Sequence, residues 1–394
     1  MPVPSEPDQL RVAMVSFSGS ASSEATTPVA PLAEALAEQG HRVVLYHRRL
    51  AVDTPVPDGV ESAPLAAGPP TELTEPEAIP HVAEFATELD RALRRDEPDV
   101  VHSHCWLAGL ATHLATRGDT FPVAHTFHQL QLLRDRHDPR GQHTPSDRTQ
   151  AEWAVAHHTD RVIASTGAEQ DCLVQSGVPR ERVTVVPEGV DSESLSPDGP
   201  VDRRRAKFRL VLLGPWHRAD VAIRALAGLP DTELTVACGD GQGQETARDR
   251  LLRRAEMLRL GDRVSMAEAA SPDRRSALIR SADVVLMLGP SPELDALSLE
   301  AMACGVPVVA GQDVATEAVV DGVTGLHLPA RDDPRALARS LRELLSHESL
   351  RMGMGWAGRD RAVNRYSWSR VATETARVYR GLVDARAEAL SSVG

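Results

Sequence analysis

Short apolar runs alternate with amphipathic stretches along nearly the whole chain, and each change of period marks a passage between strand and helix. Residues 10–17 are mostly apolar and of buried-strand length, and a loop rich in serine and threonine follows. Residues 31–39 carry apolar side chains at helical spacing, with Gly40 where a helix end favours a residue tolerant of positive φ. The same reading predicts strands at 42–46, 99–102, 123–126, 161–164 and 183–186, with helices at 82–94, 107–116, 149–158 and 169–176. Residues 51–80 are rich in proline, glycine and acid, which predicts a surface excursion, and residues 135–147 read as a mobile loop.

Residues 192–205 have linker composition, with Pro197, Gly199, Pro200 and a closing run Arg203-Arg204-Arg205, and a domain boundary is placed there. A second series follows. Strands are predicted at 209–213, 234–238, 263–266, 284–288 and 306–310, and helices from 221 and at 245–260, 274–281 and 297–303. Helices from Pro334 and from Trp368 close the chain. Strands that alternate with helices imply parallel sheets with right-handed crossovers, so the expected class is α/β, with two doubly wound Rossmann-like domains. Ligands in such sheets bind beyond the carboxyl ends of the strands, here expected in a central cleft between the domains.

Composition narrows the function. At 394 residues the chain exceeds what one core organises, and 42% apolar with 25% charged residues is ordinary globular usage. No apolar run reaches the roughly 20 residues of a membrane-spanning helix, and residues 1–9 lack a basic start or apolar segment, so a cytoplasmic location is expected. A net charge of −13 disfavours nucleic acid and anionic lipid as partners. Cys105, Cys172, Cys238 and Cys304 lie far apart, without zinc or disulfide spacing. Of the 43 basic residues Lys207 is the single lysine, so a ligand phosphate must be met by Arg, His or backbone amides.

The most specific signal is Leu299-Glu300-Ala301-Met302-Ala303-Cys304-Gly305-Val306-Pro307-Val308-Val309-Ala310, followed by Asp321-Gly322-Val323-Thr324-Gly325. The first half adds Asp99-Val100-Val101-His102-Ser103-His104, His125-Thr126-Phe127-His128, Arg148 with Glu152, and Val186-Pro187-Glu188-Gly189-Val190-Asp191. In order and spacing these resemble the family 4 retaining glycosyltransferases of the GT-B type, and within them the enzymes that transfer N-acetylglucosamine to inositol phosphate in mycothiol synthesis. The resemblance runs from the first strand to Tyr366-Ser367-Trp368. It implies an acceptor-side domain at 1–195, a nucleotide-sugar-binding domain at 196–368, and a final helix at 369–394 crossing back to the first domain.

For chemistry, the resemblance implies transfer of a sugar from a nucleotide donor, UDP by family default, to a small-molecule or glycan acceptor with anomeric configuration kept. Glu300 would accept the ribose hydroxyls, and amides near Leu297 and Ser298 would face the diphosphate, with Gly214 and His217 also on the donor side. His128 would sit beside the sugar, with Glu293 and Arg218 completing the catalytic set. His104, Arg148, Ser22 and Ser23 would lie on the acceptor side. No metal or other cofactor is expected, because the paired-aspartate motif of the other main class of sugar transferases is absent, and a homodimer is left open.

Several positions depart from the family pattern where phosphate or sugar is held. Ser23 and Glu24 replace paired glycines, Gly214-Pro215-Trp216-His217-Arg218-Ala219-Asp220 replaces a loop with two cations, Pro292 stands where a glutamate is expected with Glu293 one place late, and Asp313 and Val314 replace a second glycine pair. Loss of one charge-stabilising donor typically costs about 2.7–4 kcal/mol of transition-state stabilisation. Two readings therefore stand: an active transferase with a remodelled donor site, or a degenerate homologue that binds sugar, nucleotide or a partner protein without turnover. His102 and His104 are expected on opposite strand faces, which argues against a metal pair. The string from Cys238 to Gly243 reads as a polar turn and not as a dinucleotide loop, since the partner acid at the next strand end is missing.

Overall fold

A computed structural model describes residues 9–17, 29–52, 56–117, 121–133, 147–214, 218–238, 244–269, 271–289, 294–311, 317–328 and 333–391. The chain divides into two compact units, Met1–Glu188 with Trp368–Gly394, and Gly189–Ser367.

In the first unit β1 (Arg11–Ser16), β2 (Arg42–Arg48), β3 (Val60–Leu65), β4 (Val100–His104), β5 (Val123–Thr126), β6 (Arg161–Ala164) and β7 (Val183–Val185) form one parallel sheet. The strand order is β3-β2-β1-β4-β5-β6-β7, so the winding reverses between β1 and β4. Strand periodicity explains the two layers that cover it. Val12 and Met14 point to one face and pack with α1 (Val29–Glu38) and the closing helix through Leu32, Leu36, Val371, Ala372 and Tyr379. Ala13 and Val15 point to the other, against Phe85 and Leu89 of a helix at Val82–Asp96 and Ala108 and Ala111 of a helix at Cys105–Ala115.

The stretch expected to be a surface excursion in part joins the sheet. Val60–Leu65 pairs in parallel with β2 as an edge strand, where Pro64 removes no needed central hydrogen bond. Glu75–Ala78 then forms a short helix, α2, before the helix Val82–Asp96, which becomes α3, and Cys105–Ala115, which becomes α4. Arg48, almost fully buried, ties the excursion down by donating to the carbonyls of Pro69 and Thr71. α5 (Asp147–His158) and α6 (Gly167–Gln175) complete the unit before the closing helix.

The second unit carries β8 (Phe208–Leu212), β9 (Thr232–Cys238), β10 (Val264–Glu268), β11 (Val284–Met287), β12 (Val308–Ala310) and β13 (Gly325–His327). They form a second parallel sheet in the order β10-β9-β8-β11-β12-β13, reversing between β8 and β11. Its helices are α7 (Ala219–Leu226), α8 (Gln244–Met257), α9 (Pro272–Arg280), α10 (Leu294–Ala303), α11 (Pro334–Ser346) and α12 (Glu348–Tyr366). The closing helix, α13, spans Trp368–Ser391. Leu210 and Leu212 pack toward α7 and α11, and Val211 and Leu213 toward Leu299 and Met302 of α10.

β13 and α12 are absent from the sequence expectation. α12 carries Gly353, Gly355 and Gly358, a composition that lowers helix propensity, yet two of these glycines serve packing. A Cβ on Gly355 would stand 2.1 Å from the carbonyl oxygen of Gly305, the left-handed residue after α10, and one on Gly358 would meet Met302 at 3.4 Å. Gly355→Ala is expected to cost about 1–3 kcal/mol through overpacking, lowering the thermal midpoint by several degrees. Gly353→Ala, where a Cβ meets nothing within 4 Å, is expected to leave it unchanged or to raise it by the roughly 0.5–1 kcal/mol of helix propensity. Calorimetry of the two variants checks both.

Candidate functional site

The carboxyl ends of the strands beside each reversal point gather the residues singled out in the sequence. In the first unit β4 ends in His102-Ser103-His104, and the turn after β5 carries His128. Residues two apart on a strand share a face, so the expectation that His102 and His104 diverge is corrected: their ring centroids lie 4.0 Å apart. All three residues of that strand end are buried.

Each imidazole is held in place. His102 Nδ1 lies 2.7 Å from the Tyr379 hydroxyl of α13 and its Nε2 2.9 Å from Thr126 Oγ1. His125 Nδ1 lies 2.8 Å from Ser103 Oγ, and Gly109 of α4 makes room for that ring, since a Cβ there would stand 2.5 Å from His125 Cε1. His104 Nδ1 meets His128 Nε2 at 3.0 Å with the rings stacked, and His128 Nδ1 faces Glu188 Oε1 at 3.4 Å. His128 is one of the non-glycine residues with positive φ, at 59°, a conformation that turns its side chain back onto β4. Among the described residues no group of three His, Cys, Asp or Glu is arranged to hold a metal.

Burial, and then the neighbouring imidazoles, push His102 and His104 well below the usual histidine range. The same causes take His125 down to about 3, against a weaker upward pull from Ser103. His102, His104 and His125 are therefore neutral at physiological pH.

Arg148, on α5, donates to a protein group from each nitrogen of its fork. Its Nε donates to Glu152 Oε1 at 2.9 Å, Nη1 to Glu75 Oε2 at 2.9 Å, and Nη2 to the carbonyl of Gln129 at 2.8 Å. Glu152 is wholly buried, and its second oxygen accepts from the amides of Gln131 and Leu132 at 2.8 and 3.3 Å. Burial lifts the Glu152 carboxyl above its ordinary range, with Arg148 and the Gln131 amide pulling it back.

In the second unit the reversal between β8 and β11 places Gly214 and Gly289 at adjacent strand ends, both with positive φ, at 99° and 116°. Arg218 occupies the N-cap position of α7, without a side-chain capping bond, and lies along Gly289, where a Cβ would stand 2.6 Å from its Cγ. Glycine is required at 289 for both reasons. α10 begins at Leu294, three residues before the expected start. Leu297 and Ser298 are thus its fourth and fifth residues, and the open first-turn amides of the described helix belong to residues 294–296. Ser298 is fully buried, with its hydroxyl 3.0 Å from Met287 Sδ, and Leu297 is half-buried against the core.

Glu300 has a partner that the sequence did not disclose. Arg275 of α9 grips both of its oxygens, Nε to Oε2 at 2.5 Å and Nη2 to Oε1 at 2.7 Å, and anchors its own Nη1 on the Ala269 carbonyl at 3.1 Å. A carboxylate offers about four lone-pair sites, so two stay available for hydroxyl donors. Sequence reasoning missed Arg275, Glu75 and Tyr379 because each is an ordinary surface or helix residue by type and its partner lies far along the chain. Ser22, Ser23, His217 and Glu293 lie outside the described residues, as do Glu24, Pro292, Asp313, Val314, the string Gly239–Gly243 and nearly all of 135–147.

The histidine cluster has a pH consequence. Each depressed imidazole binds a proton more readily in the unfolded chain, so its stabilising effect is complete above about 6.5 and is lost as pH falls toward the folded value. The buried Glu169 carboxyl, raised by burial to about 7, acts in the opposite sense between about 4.5 and 7. Glu152, also raised by burial, acts in the same direction as Glu169, and three imidazoles outweigh two carboxyls. Unfolding free energy measured by urea titration is expected to fall between pH 7.5 and 5.5, and His125→Gln to flatten that slope by about 1.4 kcal/mol per pH unit below 6.5.

Comparison with known proteins agrees with this geometry. D-inositol 3-phosphate glycosyltransferase of Acidothermus cellulolyticus is 31% identical over 393 residues, covering 91% of this chain and 85% of that protein. The protein of that name from Thermobispora bispora is 32% identical, covering 89% and 88%. Among solved structures, sucrose-phosphate synthase from Thermosynechococcus elongatus superposes with a TM-score of 0.76 at 22% identity, covering 96% of this chain and 100% of that one. Anabaena HepE in complex with UDP and glucose superposes with a TM-score of 0.71 at 17% identity, covering 94% and 99%. The fold is that of the GT-B class. Residues 26–194 match Glycosyltransferase Family 4 and residues 212–361 match Glycosyl transferases group 1, and with these relatives the chain belongs to the family 4 and group 1 glycosyltransferases.

Proposed function

We propose that this glycosyltransferase moves a sugar from a UDP-activated donor to a hydroxyl of a small-molecule or glycan acceptor, with retention of anomeric configuration. The observation that carries the donor half is Glu300, a half-buried carboxylate on the helix beside the β8–β11 reversal, held in a fixed plane by Arg275. A planar acceptor with two free lone-pair sites suits the vicinal hydroxyls of a ribose. Gly214 and Gly289 leave bare backbone at the same strand ends, and Arg218 beside them supplies positive charge. The relatives at about 31% identity and the UDP in the HepE structure support the same reading.

In the reaction the bond between the anomeric carbon and the diphosphate oxygen breaks, and a bond from that carbon to the acceptor oxygen forms on the same face. The acceptor's hydroxyl proton leaves with the diphosphate. Charge develops on the departing oxygens, where Arg218 and the first-turn amides of α10 act in a site that is organised beforehand. His128 would sit beside the sugar, held as a hydrogen-bonding group between His104 and Glu188. The expected metal independence follows from assigning the charge to Arg218 and amides.

Isothermal titration with UDP, GDP and ADP, alongside a donor-hydrolysis assay, tests the proposal. UDP is expected to bind most tightly, and Glu300→Ala to weaken it by about 10- to 100-fold through loss of two hydrogen bonds to a charged acceptor. Failure of every nucleotide to bind would sink the donor reading. Arg275→Leu, which frees the Glu300 carboxylate to rotate, is expected to weaken UDP several-fold and to reduce the preference for UDP over 2′-deoxy-UDP. A merely structural arginine would leave that preference intact.

A further inference from the structure

The charge balance around Arg148 bears on the acceptor, given the reading of His104 and Arg148 as acceptor-side residues. Glu75 and Glu152 both pair with its guanidinium, and its third nitrogen donates to the Gln129 carbonyl. Both Glu152 oxygens accept, one from the Arg148 guanidinium and the other from two backbone amides, the pattern of an ionised carboxylate. Two carboxylates on one guanidinium leave the group with a net negative charge, and Glu188 adds a third carboxylate next to His128.

Arg148 also has a different task. Through Gln129 directly, and through Glu152 to the amides of Gln131 and Leu132, it pins the turn that holds His128 in its left-handed conformation. These bonds use three of its five N–H donors, and an anionic ligand at the others would still meet the carboxylates of Glu75 and Glu152 on the same guanidinium.

We propose that the acceptor side of the first unit takes a neutral, hydroxyl-bearing acceptor and rejects a phosphorylated one, because Glu75 and Glu152 already balance Arg148, which serves as a positioning residue for the His128 turn. Glu75 is the discriminating group. It stands on the short helix α2, with its side chain about half exposed (45%), so it can be changed without disturbing the core.

The test is titration of the full chain and of Glu75→Gln with D-inositol 3-phosphate and with myo-inositol, in the presence of UDP. The wild type is expected to show no binding of the phosphate ester at millimolar concentration, and Glu75→Gln to gain at least about tenfold in affinity for it while its response to myo-inositol is unchanged. The gain should vanish in Glu75→Gln combined with Arg148→Leu. Binding of D-inositol 3-phosphate by the wild type within tenfold of Glu75→Gln, or no gain in that variant, overturns the proposal. The UDP titration of the same samples reports separately on the donor reading, whose failure leaves the comparison between the two acceptor probes intact.

Discussion

A parallel sheet is apolar on both faces, and both faces must be covered by the helices that connect its strands. Everything at the candidate site follows from that constraint. Covering helices fix the direction of every strand, so all carboxyl ends open on one rim, and the reversal of winding leaves a gap at that rim. In the first unit one face is completed by α13, which arrives from the far end of the chain and packs Val371, Ala372 and Tyr379 onto Val12 and Met14. The same helix reaches the rim, where the Tyr379 hydroxyl meets His102. Covering the core and orienting the histidine cluster are thus done by one helix.

The two rims differ in their electrostatics. In the first unit the strand ends carry the imidazoles of His102, His104 and His125, which burial keeps neutral, and the nearby arginine is balanced by carboxylates. In the second unit a guanidinium lies along a bare glycine at the strand end, and a carboxylate is held by a two-pronged ion pair. A nucleoside diphosphate asks for cations and a hydroxyl acceptor, whereas a sugar or polyol asks for neutral hydrogen-bonding groups. The second unit suits the first description and the first unit the second.

Much of this was legible in the sequence. The alternation of apolar runs and amphipathic stretches is a direct record of burial on both faces of a strand and one face of a helix, and it yielded two parallel sheets and most of their members. The stretch around Glu300 and the turn after β5 were found by motif, because the residue types their chemistry needs recur at fixed spacing. Where the reading failed, the physical reason is visible. β3 is an edge strand with a proline and only its end residues buried, so its period is weak. α12 is glycine-rich because its backbone must approach Gly305 closely, so its propensity argues against the helix that packing imposes.

The sequence by itself determined the class of fold, the family and the identity of the central side chains, since periodicity and local motifs are properties of neighbours along the chain. Only the tertiary structure decided what those side chains touch. Arg275 meets Glu300 across 25 residues, Arg148 meets Glu75 across 73, and Tyr379 meets His102 across 277. An ion pair or a buried hydrogen bond has no period and leaves no local mark, because either partner alone is an ordinary polar residue. Its meaning comes from the covering of the sheets, which brings the two together.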